Sequence, residues 1–139
     1  MSEINDSIVQ FSSDVADQEA PPPLPRGRYR ATIRKAVQKV SQNNTKYAEI
    51  LFFIGPDQYP ADYTDGNPEG QSIAYRRVSL EDTPQARWRL KRFCIDIGAE
   101  VPTRELDLMS WVNREADVEV AHEEYEGVMR PIIARVLAA

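Results

Sequence analysis

The chain has one cysteine, Cys94, and one histidine, His122. A lone cysteine excludes an internal disulfide and fits a reducing compartment. One histidine and one distant cysteine cannot supply the four nitrogen and sulfur ligands of a zinc centre. No apolar run reaches the roughly eighteen residues of a membrane span, and the acidic, polar N-terminus is unlike a signal peptide. A soluble, cytoplasmic protein without membrane contact is expected. Phosphate-cradling glycine loops, nucleophile motifs and paired Cys–His arrangements are all absent, so neither an enzyme nor a cofactor is expected. Lys and Arg are missing altogether from residues 1–25.

That last absence is matched by its opposite. Residues 1–25 carry Glu3, Asp6, Asp14, Asp17 and Glu19, whereas residues 26–46 carry Arg26, Arg28, Arg30, Arg34, Lys35, Lys39 and Lys46 with no acid. The net charge of −5 therefore conceals two blocks of opposite sign. Residues 76–92 add six more cations against Glu81 and Asp82, while residues 96–139 hold ten acidic and four basic residues. A cationic face is thus compatible with an acidic whole.

Residues 1–25 read as a disordered acidic tail. They lack apolar periodicity apart from Ile8-Val9-Gln10-Phe11 and end in a Pro-rich hinge, Pro21-Pro22-Pro23-Leu24-Pro25. A proline-binding partner could use the hinge, but a flexible joint is the simpler reading. Residues 26–139 are then one domain, long enough for a modest core. There is no internal repeat.

Within it, residues 28–40 alternate, with Tyr29, Ala31, Ile33 and Val37 on one face and Arg28, Arg30, Thr32 and Arg34 on the other. A turn at Ser41–Asn44 leads to a second strand at 46–54. A long loop with Tyr59 and Tyr63 follows at 55–71, then a third strand at 72–80. Thr83-Pro84 reads as an N-cap with proline at the first helical position. The stripe Ala86, Leu90, Phe93, Cys94 and Ile97 with Gly98 behind it sets a helix over 84–97. Residues 105–113 suit a short helix or turn with Leu106, Met109 and Trp111 or Val112 inward. A fourth strand is expected at 116–122, a turn at Glu123–Gly127, and a fifth strand at 128–137. Pro131 suits an edge or a bulge better than a central position. The fold class is β-rich α+β. Five strands with a helix between the third and fourth is the order of an OB-like barrel, though other small barrels share it.

Three constellations could carry function. Arg28, Arg30, Arg34 and Lys35, with Arg76 and Arg77 of the third strand, could bind DNA phosphates while Tyr29, Tyr47 and Tyr75 stack bases, the pairing used by single-strand binders. The same residues also describe a solvated strand face over aromatic core, and Phe52 and Phe53 are expected in that core. Arg76, Arg77, Arg87, Trp88, Arg89, Lys91 and Arg92 could cradle phosphates, but consecutive helical residues fan around the axis, and Trp88 is expected to pack. His122 through Gly127 suggests a metal only superficially. With no second histidine it reads as a β-turn, and no metal site is expected. Cys94 reads as core.

Three segments carry a resemblance. Leu24-Pro25-Arg26-Gly27-Arg28-Tyr29-Arg30-Ala31-Thr32-Ile33 resembles the Leu-Pro-x-Gly-x-Tyr-x-Ala opening strand of a family of small phage and prophage proteins. Leu80 through Phe93 is similar to that family's helix, and Val118 through Gly127 to its hairpin. After Gly127 the family continues with Arg- or Lys-rich residues, where this chain has Val128-Met129-Arg130-Pro131-Ile132-Ile133. The resemblance spans most of residues 24–137. It implies a single-stranded-DNA-binding protein with an OB-like fold, encoded among phage replication and recombination genes. A phage recombinase or replication protein would be its partner, and homo-oligomers are a further expectation. Two rival readings stand beside it: a structural adaptor that assembles or docks without DNA, and an acidic DNA-mimic inhibitor.

Overall fold

The computed structural model describes residues 6–138. Five strands, β1 (Gly27–Val40), β2 (Lys46–Ile54), β3 (Gln71–Ser79), β4 (Glu115–Tyr125) and β5 (Val128–Leu137), form one antiparallel sheet in the order β3-β2-β1-β4-β5. One helix, α1 (Pro84–Asp96), connects β3 towards β4. The chain is a β-rich α+β fold. The sheet curls without closing: Cα atoms of its edge strands β3 and β5 come within 8 Å of each other, but no ladder joins them. No helix among the described residues is long and apolar enough to cross a membrane.

β1 does the most to shape the sheet. Its N-terminal half pairs with β4, from Gly27 opposite Val120 to Thr32 opposite Glu115. Its C-terminal half pairs with β2, and the register slips between Ile33 and Lys35. That β-bulge exchanges the two faces, because side chains alternate with a period of two. Tyr29, Ala31 and Ile33 point inward as the alternation requires, but beyond the bulge Ala36 is buried and Val37 faces out. A second slip between Ala48 and Ile50 sets Arg76 and Arg77 of β3 opposite the single residue Glu49.

The core lies between the inner sheet face and α1. Thr83 caps the helix, its hydroxyl accepting from the Ala86 amide at 3.2 Å. Ala86, Phe93 and Cys94 are buried beneath it, with Ile97 just beyond. Phe93 meets Trp111, which a short 3-10 turn (Leu108–Trp111) delivers to the interior with ring centroids 5.0 Å apart. Met109, expected inward, is exposed, since a turn of four residues can bury only one side. Burial pushes the Cys94 thiol pKa up, partly offset by the Trp111 indole, whose buried Nε1 has no oxygen or nitrogen partner.

The ends of the fold differ from the sequence reading in two ways. The expected turn at Glu123–Gly127 narrows to Glu126-Gly127, both at positive φ, and β4 and β5 continue almost to it. Residues 121–132 pair only with each other, so they form a two-stranded ribbon beyond the start of β1. Pro131 does sit on the edge strand. The N-terminal boundary also moves, because Leu24 is fully buried in the core. Residues 6–22 are exposed throughout, and their only helical element among the described residues is a 3-10 turn at Val15–Asp17; the first five residues of the expected tail lie outside the described ones.

Candidate nucleic-acid interface

The six cations expected to form one binding face are dispersed. Arg28 and Arg30 lie on the outer face of β1, opposite an alternating acidic row on β4. Arg28 pairs with Asp117 at 3.2 Å, and Arg30 with Glu115 at 3.3 Å and Asp117 at 3.5 Å. The β1–β4 register dictates this, since it places Arg28 beside Glu119 and Arg30 beside Asp117. Their charge is locally cancelled.

Arg34 sits at the bulge, its guanidinium carbon 4.2 Å from the centre of the Phe53 ring. Phe53 is therefore on the outer face, whereas Phe52 is core as expected. The other neighbour of Phe53 is Gly70, whose φ of +98° suits glycine and where a Cβ would collide with the ring. Lys35, next to Arg34, is exposed without a carboxylate partner among the described residues. Arg76 donates from Nε to Glu49 at 2.7 Å, and Glu49 also holds Lys39 at 3.3 Å. The Arg76 hydrogen bond, helped by Lys39 and opposed by burial, holds the Glu49 carboxyl below its usual range.

Arg77 has a different environment. Although it shares the bulge opposite Glu49 with Arg76, it lines a cleft of 230 Å³ together with Arg89 and Arg92 of α1. These three guanidiniums have no ion-pair partner among the described residues; Asp96 is the one carboxylate in the lining. Tyr75 and Phe93 floor the cleft, stacked with centroids 6.2 Å apart and planes 18° apart. Burial pushes the Tyr75 hydroxyl pKa up, with Arg77 pulling against it. A second cleft, of 390 Å³, continues along the gap between β3 and β5. It shares Tyr75 and Arg77 and adds Arg76 and Arg130. Arg130 reaches Glu123 at 3.5 Å and covers the Tyr125 ring at 4.3 Å.

The three tyrosines expected to stack bases also separate. Tyr29 is 5% exposed, and its hydroxyl donates to the Pro25 carbonyl at 2.7 Å. Burial, reinforced by Tyr63 and Asp62, raises its pKa. A base cannot reach the ring without opening the core, so the expected stacking role does not fit Tyr29. Tyr75 presents only what the cleft leaves open. Tyr47 is half-exposed on the outer face, between Lys39 of β1 and Ser79 of β3, and does not itself line the cleft.

Trp88 was expected to pack, and it does not. It is 59% exposed on α1, with the Lys91 ammonium 5.9 Å from its ring centre. At 100° per residue it falls opposite Ala86, Phe93 and Ile97, so the buried stripe itself gave the signal. Among the described residues no three His, Cys, Asp or Glu side chains are grouped to hold a metal ion. No model of a known protein family matches the chain, and no curated protein matches it.

Proposed function

We propose that this chain binds single-stranded DNA with little sequence preference and without catalysing a reaction, along the gap between β3 and β5. The observation that carries the reading is the convergence of Arg77, Arg89 and Arg92, free of ion pairs, on a cleft floored by Tyr75 and Phe93. Guanidiniums gathered from β3 and α1 along one cleft suit a polyanion, because each neutralised phosphate releases counterions. The exposed indole of Trp88, on the same helix, supplies a face on which a base stacks.

The fold supports the reading at a coarser level. The order β3-β2-β1-β4-β5 is that of an OB barrel opened between its third and fifth strands, where β3 and β5 approach within 8 Å. The resemblance to phage and prophage proteins supports reading the binding as a step of phage DNA replication or recombination in the host cytoplasm, beside a recombinase or replication protein. One observation favours the adaptor reading as a second choice: Tyr125, Val128 and Met129 are exposed together on the β4–β5 ribbon.

The test is a titration of labelled oligo-dT by the full chain across a range of salt. Engagement of three to five guanidiniums gives a log–log slope of roughly −2 to −4 on a single strand. Absence of binding at low salt, or binding indifferent to salt, removes the proposal.

A further inference from the structure

The flank of α1 away from the DNA cleft borders a groove of about 820 Å³, between the helix and residues 101–108. Its floor is apolar, with Leu80, Leu90, Leu106 and Leu108 half-buried. Lys91 and Arg104 stand on its rim without ion-pair partners among the described residues. Two of the rim acids are engaged: Asp82 is bound to Arg87, and Glu81 accepts from the Lys46 amide at 3.1 Å. Glu105 is the remaining acid in the lining.

The chain contains a segment of matching chemistry. Ile8, Val9 and Phe11 are 62%, 70% and 68% exposed, and the acids around them, Asp6, Asp14, Asp17 and Glu19, have no cation among them. Apolar side chains left this open, bracketed by one sign of charge, mark a surface meant to be covered. Chain length argues against its own groove. Leu24 anchors the segment at the Gly27 end of β1, where its carbonyl lies 2.8 Å from His122. The groove lies at the other end, beside Gln38 and Lys46. Eleven residue steps of β1 separate the two ends, about 36 Å. The thirteen steps from Phe11 to Leu24 reach about 43–47 Å only when fully extended, leaving almost nothing for the path around the curled sheet.

We infer that residues 6–19 of one copy dock in the α1 groove of a second copy, with Ile8, Val9 and Phe11 on its leucine floor and the acids on Lys91 and Arg104. Each copy gives a segment and receives one, which makes a two-fold dimer when the exchange is mutual and a ring or open chain when it runs head to tail, in either case without using the DNA cleft. It stands independently of the DNA reading.

The experiment measures mass by light scattering over rising concentration, together with binding of a labelled peptide of residues 6–19 to the full chain carrying Val9→Asp and Phe11→Asp. Both substitutions fall on exposed side chains, and circular dichroism checks the fold. Expected are oligomers of the unaltered chain, a monomeric double variant, and peptide binding weakened about tenfold by Lys91→Glu with Arg104→Glu. A chain monomeric at every concentration overturns the inference. If such a monomer refuses the peptide while its double variant binds it, the segment docks on its own copy instead. Peptide binding indifferent to Lys91 and Arg104 overturns the choice of groove. Oligo-dT affinity, measured on the same variants, reports separately on the DNA reading.

Discussion

The His122 imidazole Nε2 stands 2.8 Å from the carbonyl oxygen of Leu24, tying the chain entering the domain to the inner face of β4. With the Tyr29 hydroxyl donating to Pro25, this draws Leu24 into the core ahead of the first strand. Leu24→Ala is therefore expected to cost about 2–5 kcal/mol in urea denaturation, the range for a fully buried leucine. Phe11→Ala, at an exposed position, should leave the midpoint where it is at concentrations dilute enough to keep copies apart.

Charge reversal separates the two sets of arginines. Arg77→Glu or Arg89→Glu should weaken oligo-dT binding several-fold and flatten its salt dependence by roughly one phosphate contact each. Arg28→Ala should change neither, because Asp117 already neutralises that side chain. Equal losses from all three would return the site to the outer face of β1.

Trp88→Ala tests stacking without disturbing the core, as the indole is largely in solvent. Affinity for oligo-dT is expected to fall by about 1–3 kcal/mol while the melting temperature holds. A drop in melting temperature with unchanged affinity would make Trp88 a structural residue.

Glu49 gives a pH signature. Its carboxyl titrates below the usual range in the folded state, chiefly through the Arg76 hydrogen bond. Its stabilising contribution is therefore fully present above the unfolded carboxylate pKa, and is lost as pH falls through the folded one. Glu49→Gln should lower the melting temperature at neutral pH, and the gap to the unaltered chain should close under acid. A gap constant with pH would mean that packing, not charge, is what the carboxylate supplies.

Cys94 is buried, and its thiol pKa is raised by that burial. A thiol reagent should react with it only at the rate at which the fold opens. Immediate labelling of the native chain would mean that α1 is loosely held.

Much of this architecture could be read from residue order. Alternation marked the strands, Thr83-Pro84 opened the helix where it begins, and Pro131 pointed to an edge. What escaped was whatever depends on register. The bulge after Ile33 leaves no mark in a pattern of single residues, yet it sends Ala36 inward and Val37 outward. The cancellation of Arg28 and Arg30 was half-visible in the alternating acids Glu115, Asp117 and Glu119, but only the ladder says which strand they face. Arg89 and Arg92 stand out in the sequence as part of a helical cationic cluster; their meeting with Arg77 depends on how α1 packs on β3, which residue order does not give. Trp88 was legible from the helical angle and was misassigned because tryptophans usually pack.

The division of β1 between two partners has a kinetic consequence. Its C-terminal half closes on β2 across the short turn at Ser41–Thr45, a local event on the microsecond scale. Its N-terminal half must wait for β4, which is made only after the long loop, β3 and α1 have been traversed. Closing so distant a contact carries the larger entropy cost, and high contact order slows folding. Substitutions in the β1–β2 hairpin should therefore act mainly on the folding rate, whereas those along the β1–β4 ladder should act mainly on unfolding. The strand that holds the sheet together is also its clock.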